Sequence, residues 1–216
     1  AAAGLSERLT VIDLSGDFRI DDAETFEAYY EIKHAGEFQS KFVYGLTETN
    51  RDAIISAQYI ANPGCFATAT ALALAPLAKS GLLTGKVIVD AKTGSSGSGA
   101  KPAANTHHPQ RMNSFYAYKP FKHQHVPEIV QHLKALGDFD NQLVFMTHSL
   151  PVSRGIFASC YAETSAKLTN EDALGLFRNF YSGSYFVRFA DGSPDINWVK
   201  NTNFCDIFVH TNGENI

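Results

Sequence analysis

Residues 60–76 read IANPGCFATATALALAP, and this stretch decides how the middle of the chain folds. A Pro-Gly turn is followed directly by a long apolar run. The run predicts a helix over 65–80, which Gly81 is placed to terminate. Pro76 lies well inside this pattern, so we expect it to kink the helix or to end it early.

Cys65 falls at or just before the first turn of this helix. The unpaired N–H groups and the positive end of the helix dipole favour a thiolate over a thiol there. Such a place can lower a cysteine pKa from about 8.5 to between roughly 3.5 and 7.5. The sequence therefore makes Cys65 a candidate nucleophile. The alternative is a buried core cysteine, which is our interpretation of Cys160 and Cys205 in their apolar strands.

The composition is that of an ordinary globular protein, with 44% hydrophobic and 19% charged residues. A net charge of −4 argues against a nucleic-acid partner, which would require a basic face. No apolar stretch of the sequence is long enough to span a bilayer, so we expect no membrane partner. Three cysteines are an odd count and do not make a disulfide framework. These features indicate a reducing, cytoplasmic location.

The order of predicted elements indicates the fold class. The predicted strands cover 9–15, 59–63, 86–93, 142–151, 155–165, 184–190 and 203–211. The predicted helices cover 21–36, 65–80, 125–136 and 169–183, with glycines expected to stop the first three. Strands and helices alternate in the first part and long strands dominate the second, which predicts part of an α/β domain leading into an α+β domain with a mixed sheet. The first residues read as a helical tail feeding a strand, so we expect a piece of a longer polypeptide.

A pair of histidines supplies a candidate acid/base. His123 and His125 project to one face if the segment is extended. Pro127 suits the first position of the helix that follows, which puts His125 at a helix N-terminus where positive potential keeps the imidazole neutral. Glu128 is placed to orient a ring or to balance charge. The competing interpretations are simple capping of the helix and a solvent-exposed pair.

A metal site is the second alternative for the histidines. Five histidines could supply ligands: His107, His108, His123, His125 and His148. Imidazoles are common ligands of zinc. However, no acidic residue stands at a tight metal-motif spacing and there is no Cys-x-x-Cys, so we predict no metal.

A glycine-rich loop follows the strand at 86–93, where the sequence reads KVIVDAKTGSSGSGAK. Backbone N–H groups and serine hydroxyls of such a loop can approach phosphate oxygens. The spacing is not G-x-G-x-x-G, so the motif taken alone favours a flexible surface loop over a phosphate-binding loop.

Together these motifs resemble the N-acetyl-gamma-glutamyl-phosphate reductases, a family related to the aspartate-semialdehyde dehydrogenases. The stretch at 60–76 agrees throughout with that family's active-site signature. Supporting stretches occur in the family's order and are DLSGDFRI, VYGLTE, DAKTGSSGSGAK, HQHVPEI, PVSRGI and NTNFCDI.

The resemblance implies an enzyme of arginine biosynthesis that uses NADPH to reduce an acyl phosphate to an aldehyde through a cysteine thioester. Cys65 would be the nucleophile and His125 the general acid/base, with His123 as the other claimant. The implied substrate-binding residues are Arg154, whose guanidinium fork suits a carboxylate, together with His123 and Arg19. The implied cofactor-binding residues are Ser96, Gly97, Ser98, Gly99 and Asn203.

The resemblance also implies how the chain is divided. Residues 1–64 would be the C-terminal part of a Rossmann-type NADP-binding domain whose N-terminal part is missing. Residues 65–216 would be the catalytic and oligomerisation domain without its terminal helix, in a homodimer or homotetramer. The segment NTHHPQR at 105–111 looks more like relatives that act on a carrier-bound aminoadipyl phosphate or another N-acyl substrate. A non-catalytic remnant and a histidine metallohydrolase are the alternatives from other classes.

Overall fold

The computed structural model describes residues 9–216, and the helical tail predicted at the start of the chain lies outside them. The strands are β1 (Val11–Asp13), β2 (Phe42–Tyr44), β3 (Tyr59–Ala61), β4 (Leu83–Thr93), β5 (Tyr116–Tyr118), β6 (Gln142–Ser149), β7 (Ile156–Thr164), β8 (Val187–Phe189) and β9 (Cys205–Ile207). The α-helices are α1 (Ala23–Tyr30), α2 (Thr47–Ser56), α3 (Cys65–Ser80), α4 (His108–Arg111), α5 (His125–Leu136), α6 (Asn170–Phe180) and α7 (Ile196–Val199). Short 3-10 turns cover Gly36–Lys41, Ser95–Ser98 and Ala104–Thr106.

The strands form three sheets. The first is parallel and has the order β1-β3-β2. The second has the order β5-β6-β4-β7, in which β4 runs parallel to β6 and antiparallel to β7. β8 and β9 form a separate parallel pair. The predicted combination of an α/β part and a mixed-sheet α+β part is confirmed.

The core lies between the mixed sheet and the two helices that carry the candidate catalytic residues. Alternate residues of β4 point toward α3 and α5, as the two-residue period of a strand requires. The fully buried side chains here are Val87, Val89, Phe145, Ile129 and Leu133. This packing holds the N-termini of α3 and α5 at the same side of the sheet. Within residues 9–216, no helix is both long enough and apolar enough to cross a membrane.

Helix α3 continues through Pro76 to Ser80, so the expected early end at Pro76 is wrong, while the kink stays a prediction. Proline removes the N–H that would bond to the carbonyl four residues earlier, here that of Leu72. The hydroxyl of Tyr181 donates to this carbonyl at 2.6 Å. A side chain from after α6 thus supplies the missing donor, and Gly81 ends the helix in a left-handed conformation as predicted.

Other element boundaries also differ from the prediction. Helix α1 ends at Tyr30, where Glu31 adopts a left-handed conformation, and not at Gly36. The strands predicted over 184–190 and 203–211 shrink to β8 and β9, of three residues each. These two short strands pair only with one another, so neither extends the mixed sheet.

Candidate active site

The nucleophile candidate stands at the N-terminus of α3, directly after the turn that follows β3. Gly64 is the N-cap and Cys65 is the first helical residue, as the sequence predicted. The carbonyl of Gly64 accepts the first helical hydrogen bond from the Thr68 N–H at 2.8 Å. Cys65 is exposed, whereas its neighbours Phe66 and Ala67 are buried in the core.

The expected lowering of the Cys65 pKa is wrong. Burial around the sulfur raises the pKa, and this outweighs the N–H groups of Phe66 and of Cys65 itself, which lower it. The charge of Arg19 also lowers the pKa of Cys65, and that of Glu128 raises it. The resting sulfur is therefore a thiol, which must lose its proton to a base before it can attack.

The histidine pair stands at the N-terminus of α5, but the segment is not extended. The helix begins at His125, so Pro127 is its third residue and not its first. The backbone N–H of His125 donates to Nδ1 of His123 at 3.2 Å, and the two ring centroids are 4.6 Å apart. Because Nδ1 of His123 accepts this bond, the proton of the neutral ring is on Nε2.

Both imidazoles are neutral near pH 7, in the direction that the sequence predicted. Burial lowers the pKa of His125 to about 3, with smaller contributions from His123, Arg19 and Lys119. Burial also lowers the pKa of His123 to about 4, and Lys119 adds to this. Desolvation, and not the helix N-terminus, is thus the main cause. A neutral imidazole beside a thiol can accept its proton.

A small pocket of about 190 Å³ brings the nucleophile and the histidines together. Its lining includes the predicted residues Arg19, Cys65, Gly97, His123 and His125. The approach is close: a Cβ added to Gly64 would lie 2.3 Å from Nε2 of His125. Glycine at position 64 therefore lets the imidazole lie against the backbone that presents the sulfur.

Glu128 lies below this pocket and does not orient a histidine ring. Its Oε1 accepts hydrogen bonds from the Gly64 N–H at 2.7 Å and from the Tyr44 hydroxyl at 2.9 Å. Nη1 of Arg19 lies 3.8 Å from its Oε2. The other donors of Arg19 also bond within the protein, with Nε on the Asn62 carbonyl and Nη2 on that of Leu14.

A larger cavity of about 1470 Å³ opens on the other side of Cys65. It brings Cys65 together with three further predicted residues, Ser96, Arg154 and Asn203. Its floor is apolar and is formed by α3, β7 and β9. Arg154 is exposed, and its guanidinium makes no hydrogen bond or ion pair with any other residue between 9 and 216. Its donors are free for an anionic ligand.

The glycine-rich loop is held against the segment that carries Arg154. The N–H groups of Ser95 and Ser96 donate to the carbonyls of Val152 and Ser153, each at 2.9 Å. A Cβ on Gly94 would come within 2.8 Å of the Arg154 nitrogen, so this approach requires glycine.

The loop's backbone donors are therefore largely used inside the protein. The N–H groups of Gly97 and Gly99 donate to the carbonyls of Gly94 and Ser96. The exposed hydroxyls of Ser96 and Ser98 are what the loop offers a ligand. Ser96 and Gly97 line the two cavities, while Ser98 and Gly99 line neither.

Sequence reasoning missed several residues of the small pocket, among them Tyr118 and Thr93. Tyr118 ends β5, and its carbonyl accepts a hydrogen bond from the Thr147 hydroxyl at 2.5 Å. Burial raises the pKa of Tyr118 to about 12, and the nearby Cys65 adds to the shift. Only the pairing of β5 with β6 brings Tyr118 to the sulfur, and no local pattern in its sequence signals that pairing.

The histidines do not assemble as a metal site would require. His148 lies on the mixed sheet, with Nδ1 2.9 Å from Oδ1 of Asp90. His107 and His108 lie at the start of α4. Over the described part of the chain, no three histidine, cysteine or acidic side chains are grouped so that they could hold a metal ion.

Comparison with known proteins identifies relatives that match most of this chain. The family model described as semialdehyde dehydrogenase, dimerisation domain, matches residues 65–216. The N-acetyl-gamma-glutamyl-phosphate reductase of Methanocaldococcus jannaschii is 42% identical over 200 residues, which are 92% of this chain and 58% of that protein. The enzyme of the same name from Bacillus cereus is 42% identical over 209 residues, 95% of this chain and 61% of that protein. The chain thus spans about three fifths of the length of these relatives.

Solved structures show the same fold at low sequence identity. Aspartate semialdehyde dehydrogenase II from Vibrio cholerae superposes with a TM-score of 0.58 at 16% identity, over 87% of this chain and 57% of that one. The aspartate semialdehyde dehydrogenase of Francisella tularensis gives a TM-score of 0.59 at 14% identity, over 91% of this chain and 64% of that one. With the family model matched across the mixed sheet and both site helices, the chain belongs to the semialdehyde dehydrogenase family.

Proposed function

We propose that the protein is an NADP-dependent acyl-phosphate reductase that converts N-acetyl-gamma-glutamyl phosphate into N-acetylglutamate semialdehyde and phosphate, a step of arginine biosynthesis. The observation that carries the proposal is the small pocket. It is lined by both Cys65, which is exposed at a helix N-terminus, and His125, which is buried and neutral. The relatives named for this reaction support the choice of substrate.

The first half of the reaction starts from a neutral His125 and a Cys65 thiol, so the proton has to leave the sulfur while it attacks. His125 takes the proton of the Cys65 thiol as the sulfur attacks the acyl carbon. The carbon–oxygen bond to the phosphate breaks, phosphate leaves and a thioester remains on Cys65. The proton held by His125 can then be returned to the departing phosphate. The N–H groups of the first turn of α3 lie at this end of the helix and favour negative charge that develops beside the sulfur.

NADPH, when bound, supplies the two electrons and the hydrogen that reduce the thioester to the aldehyde. The carbon–sulfur bond then breaks, the aldehyde leaves, and Cys65 is released as a thiolate that takes one proton from solvent to return to the resting thiol. The residues placed to hold the nicotinamide end are Ser96 and Asn203, which line the large cavity together with Cys65. The cavity's size and its exposed hydroxyl and amide groups fit a ligand larger than the acyl phosphate alone.

Arg154 is placed to bind the carboxylate of the substrate. Its unpaired guanidinium lines the same cavity as Cys65, and a guanidinium binds a carboxylate through two parallel hydrogen bonds. Arg19 is a weaker candidate for the phosphate group, because its Nε and Nη2 already donate to the carbonyls of Asn62 and Leu14. His123 fixes the start of α5 through Nδ1 and is better suited to hold His125 than to act as the base.

We infer a division into residues 1–64, part of a dinucleotide-binding domain, and residues 65–216, the catalytic and oligomerisation domain. The boundary lies between β3 and α3, where the parallel sheet ends. All three cysteines are free, which supports a reducing location such as the cytoplasm.

The outer face of the mixed sheet is the surface that we propose for contact with a second copy of the chain. Ile88 and Tyr161 are paired neighbours on β4 and β7, and both side chains are exposed, at 44% and 55%. The family model that covers this sheet is named for dimerisation. Replacing Tyr161 by Glu should convert the oligomer into monomers in sedimentation experiments. An unchanged sedimentation coefficient would place the interface elsewhere.

Cys65→Ser tests the proposed reaction directly. In the purified protein this change should abolish phosphate-dependent NADPH formation from N-acetylglutamate semialdehyde, because serine is not acidic enough to replace the thiol. Assays with the N-acetyl, N-succinyl and carrier-bound substrates side by side will identify the acyl group. Wild-type turnover by Cys65→Ser would reject the cysteine mechanism.

Alkylation gives a second test that needs no substrate. Iodoacetamide should modify Cys65 well before Cys160 and Cys205, because burial raises the pKa of Cys160 to about 12 and that of Cys205 to about 11. Peptide mapping by mass spectrometry measures the order. Equal rates for the three native cysteines would contradict the placement of Cys65 at an accessible site.

A further inference from the structure

One carboxylate connects the helix of the candidate base to the turn of the candidate nucleophile. Glu128 is a full turn beyond His125 on α5, so both side chains leave the same face of the helix. His125 lies against the Gly64 backbone, and Glu128 accepts the Gly64 N–H at 2.7 Å. The side chain of Glu128 is completely buried.

Arg19 binds the same turn from the other side, and we call Arg19 and Glu128 together the clamp. Its Nε donates to the carbonyl of Asn62 at 2.7 Å, two residues before Gly64. Its Nη1 lies 3.8 Å from Oε2 of Glu128. Glu128 and Arg19 thus hold two backbone groups, one on either side of Pro63, at the point where the chain passes from β3 into α3.

The clamp is a costly arrangement if its only purpose is stability. A buried ion pair loses hydration and is often no more stabilising than well-packed apolar side chains of the same size. What such a pair does provide is one defined geometry. Oε2 of Glu128 has no hydrogen-bond partner among the described residues, so the carboxylate is not a fully satisfied structural link.

We propose that Glu128, acting with Arg19, is a positioning residue that fixes the separation of the Cys65 sulfur from the His125 imidazole. The inference rests on the proposed function, since it assigns to Glu128 a role in the same reaction. Glu128 need not touch the substrate. It acts through the Gly64 N–H, which leads directly into Cys65.

The charges of the clamp also act on the sulfur. Arg19 lowers the pKa of Cys65 and Glu128 raises it, so the two charges act in opposite directions at the sulfur. The other ionisable groups that line the small pocket with the sulfur are Tyr118 from β5, His123 just before α5 and His125 at the start of α5. Removing the carboxylate alone leaves the guanidinium, which would favour the thiolate.

Glu128→Gln distinguishes a role of Glu128 in positioning the reacting groups from a role in stability alone. Glutamine has the same shape and keeps an oxygen for the Gly64 N–H, but it loses the charge that pairs with Arg19. We expect kcat to fall by about tenfold or more with KM changed less than about twofold, because a small displacement of reacting groups lowers the rate and not the binding. Tyr44→Phe removes the second donor to Oε1 and should give a smaller loss of kcat. Glu171→Gln, at an exposed carboxylate of α6, is the matched control and should behave as wild type.

The pH dependence of Cys65 alkylation by iodoacetamide is the readout that does not depend on turnover. In Glu128→Gln its midpoint should move to lower pH, while thermal unfolding shows that the variant remains folded. A kcat and an alkylation midpoint both equal to wild type would overturn the proposal. A loss of kcat that is fully explained by the fraction of unfolded protein would also overturn the proposal. If wild type itself has no reductase activity, the proposed function fails, but an alkylation midpoint that moves still supports the clamp.

Discussion

The imidazole of His125 occupies the space that a side chain at Gly64 would need, since a Cβ there would lie 2.3 Å from Nε2 and 2.6 Å from Cε1 of the ring. His125, the proposed base, therefore lies against the residue directly before Cys65, the proposed nucleophile. This contact explains the glycine of the turn, because its φ of −65° is open to any residue. Lack of a side chain, and not backbone freedom, is what position 64 requires.

Gly64→Ala should accordingly separate the nucleophile from its base. We expect kcat to fall by about 100-fold, because the ring is buried and can make room only by moving away from Cys65. Steady-state kinetics and the alkylation rate of Cys65 measure the effect.

Gly175→Ala is the matched control for this substitution. Gly175 lies inside α6, and a Cβ there would meet nothing within 4 Å. Alanine should stabilise the helix by about 0.5–1 kcal/mol and leave kcat unchanged. If Gly64→Ala were as active as this control, the tight contact with His125 would have no role in the reaction.

The two arginines of the site should respond differently to substitution. Arg154→Met removes an exposed guanidinium that has no partner among the described residues, so stability should hardly change. If this guanidinium binds the substrate carboxylate, KM should rise about 10- to 100-fold, which corresponds to the loss of one charged hydrogen bond.

Arg19→Met should instead destabilise the fold. It leaves the Asn62 carbonyl and the Glu128 carboxylate without their donor, and breaking a buried pair typically costs about 3–5 kcal/mol. Urea unfolding and steady-state kinetics distinguish the two variants. If Arg19→Met raised KM without lowering the unfolding free energy, Arg19 and not Arg154 would be the arginine that binds the substrate.

Local patterns in the sequence predicted the elements that carry the site. The Pro-Gly turn and the apolar run place Cys65 at the start of α3, and the amphipathic run after His125 marks α5. These signals depend on neighbours along the chain, which a sequence displays directly.

Features that depend on distant partners could not be predicted in this way. The Cys65 pKa rises because residues from distant parts of the chain partly desolvate the sulfur, although Cys65 stays exposed to the pocket, and the local helix terminus does not reveal this effect. Tyr118 reaches the pocket through the pairing of β5 with β6. The donor that replaces the missing Pro76 N–H at the Leu72 carbonyl is Tyr181, more than a hundred residues away in the chain.

Pro76 and Tyr181 should therefore be coupled energetically. Tyr181→Phe leaves the buried Leu72 carbonyl without a donor and should lower the unfolding free energy by about 1–3 kcal/mol. Pro76→Ala restores a backbone N–H four residues after Leu72, which can bond to the same carbonyl.

A double-mutant cycle measured by urea unfolding checks this coupling. The cost of Tyr181→Phe should be clearly smaller when Pro76→Ala is already present. An equal cost in both backgrounds would mean that the tyrosine hydroxyl does not substitute for the missing amide.

Buried histidines should make the protein sensitive to acid. Burial lowers the pKa of His132 in the folded state to about 4, from 6.5. Below pH 6.5 the unfolded chain gains a proton that the folded chain does not accept until about pH 4. The stabilisation is therefore complete above pH 6.5 and is lost as the pH falls toward 4, by about 1.4 kcal/mol per pH unit.

His132→Gln isolates this contribution, since His123 and His125 act in the same pH range. The slope of unfolding free energy against pH between 6 and 4 should fall by the equivalent of about one proton. Thr49→Val is the matched control, because it removes the hydroxyl 3.1 Å from Nε2 of His132 but keeps the buried ring. Its stability should drop by a similar amount at every pH. An unchanged slope in His132→Gln would show that position 132 can be protonated without unfolding, and that its imidazole is better hydrated than its burial implies.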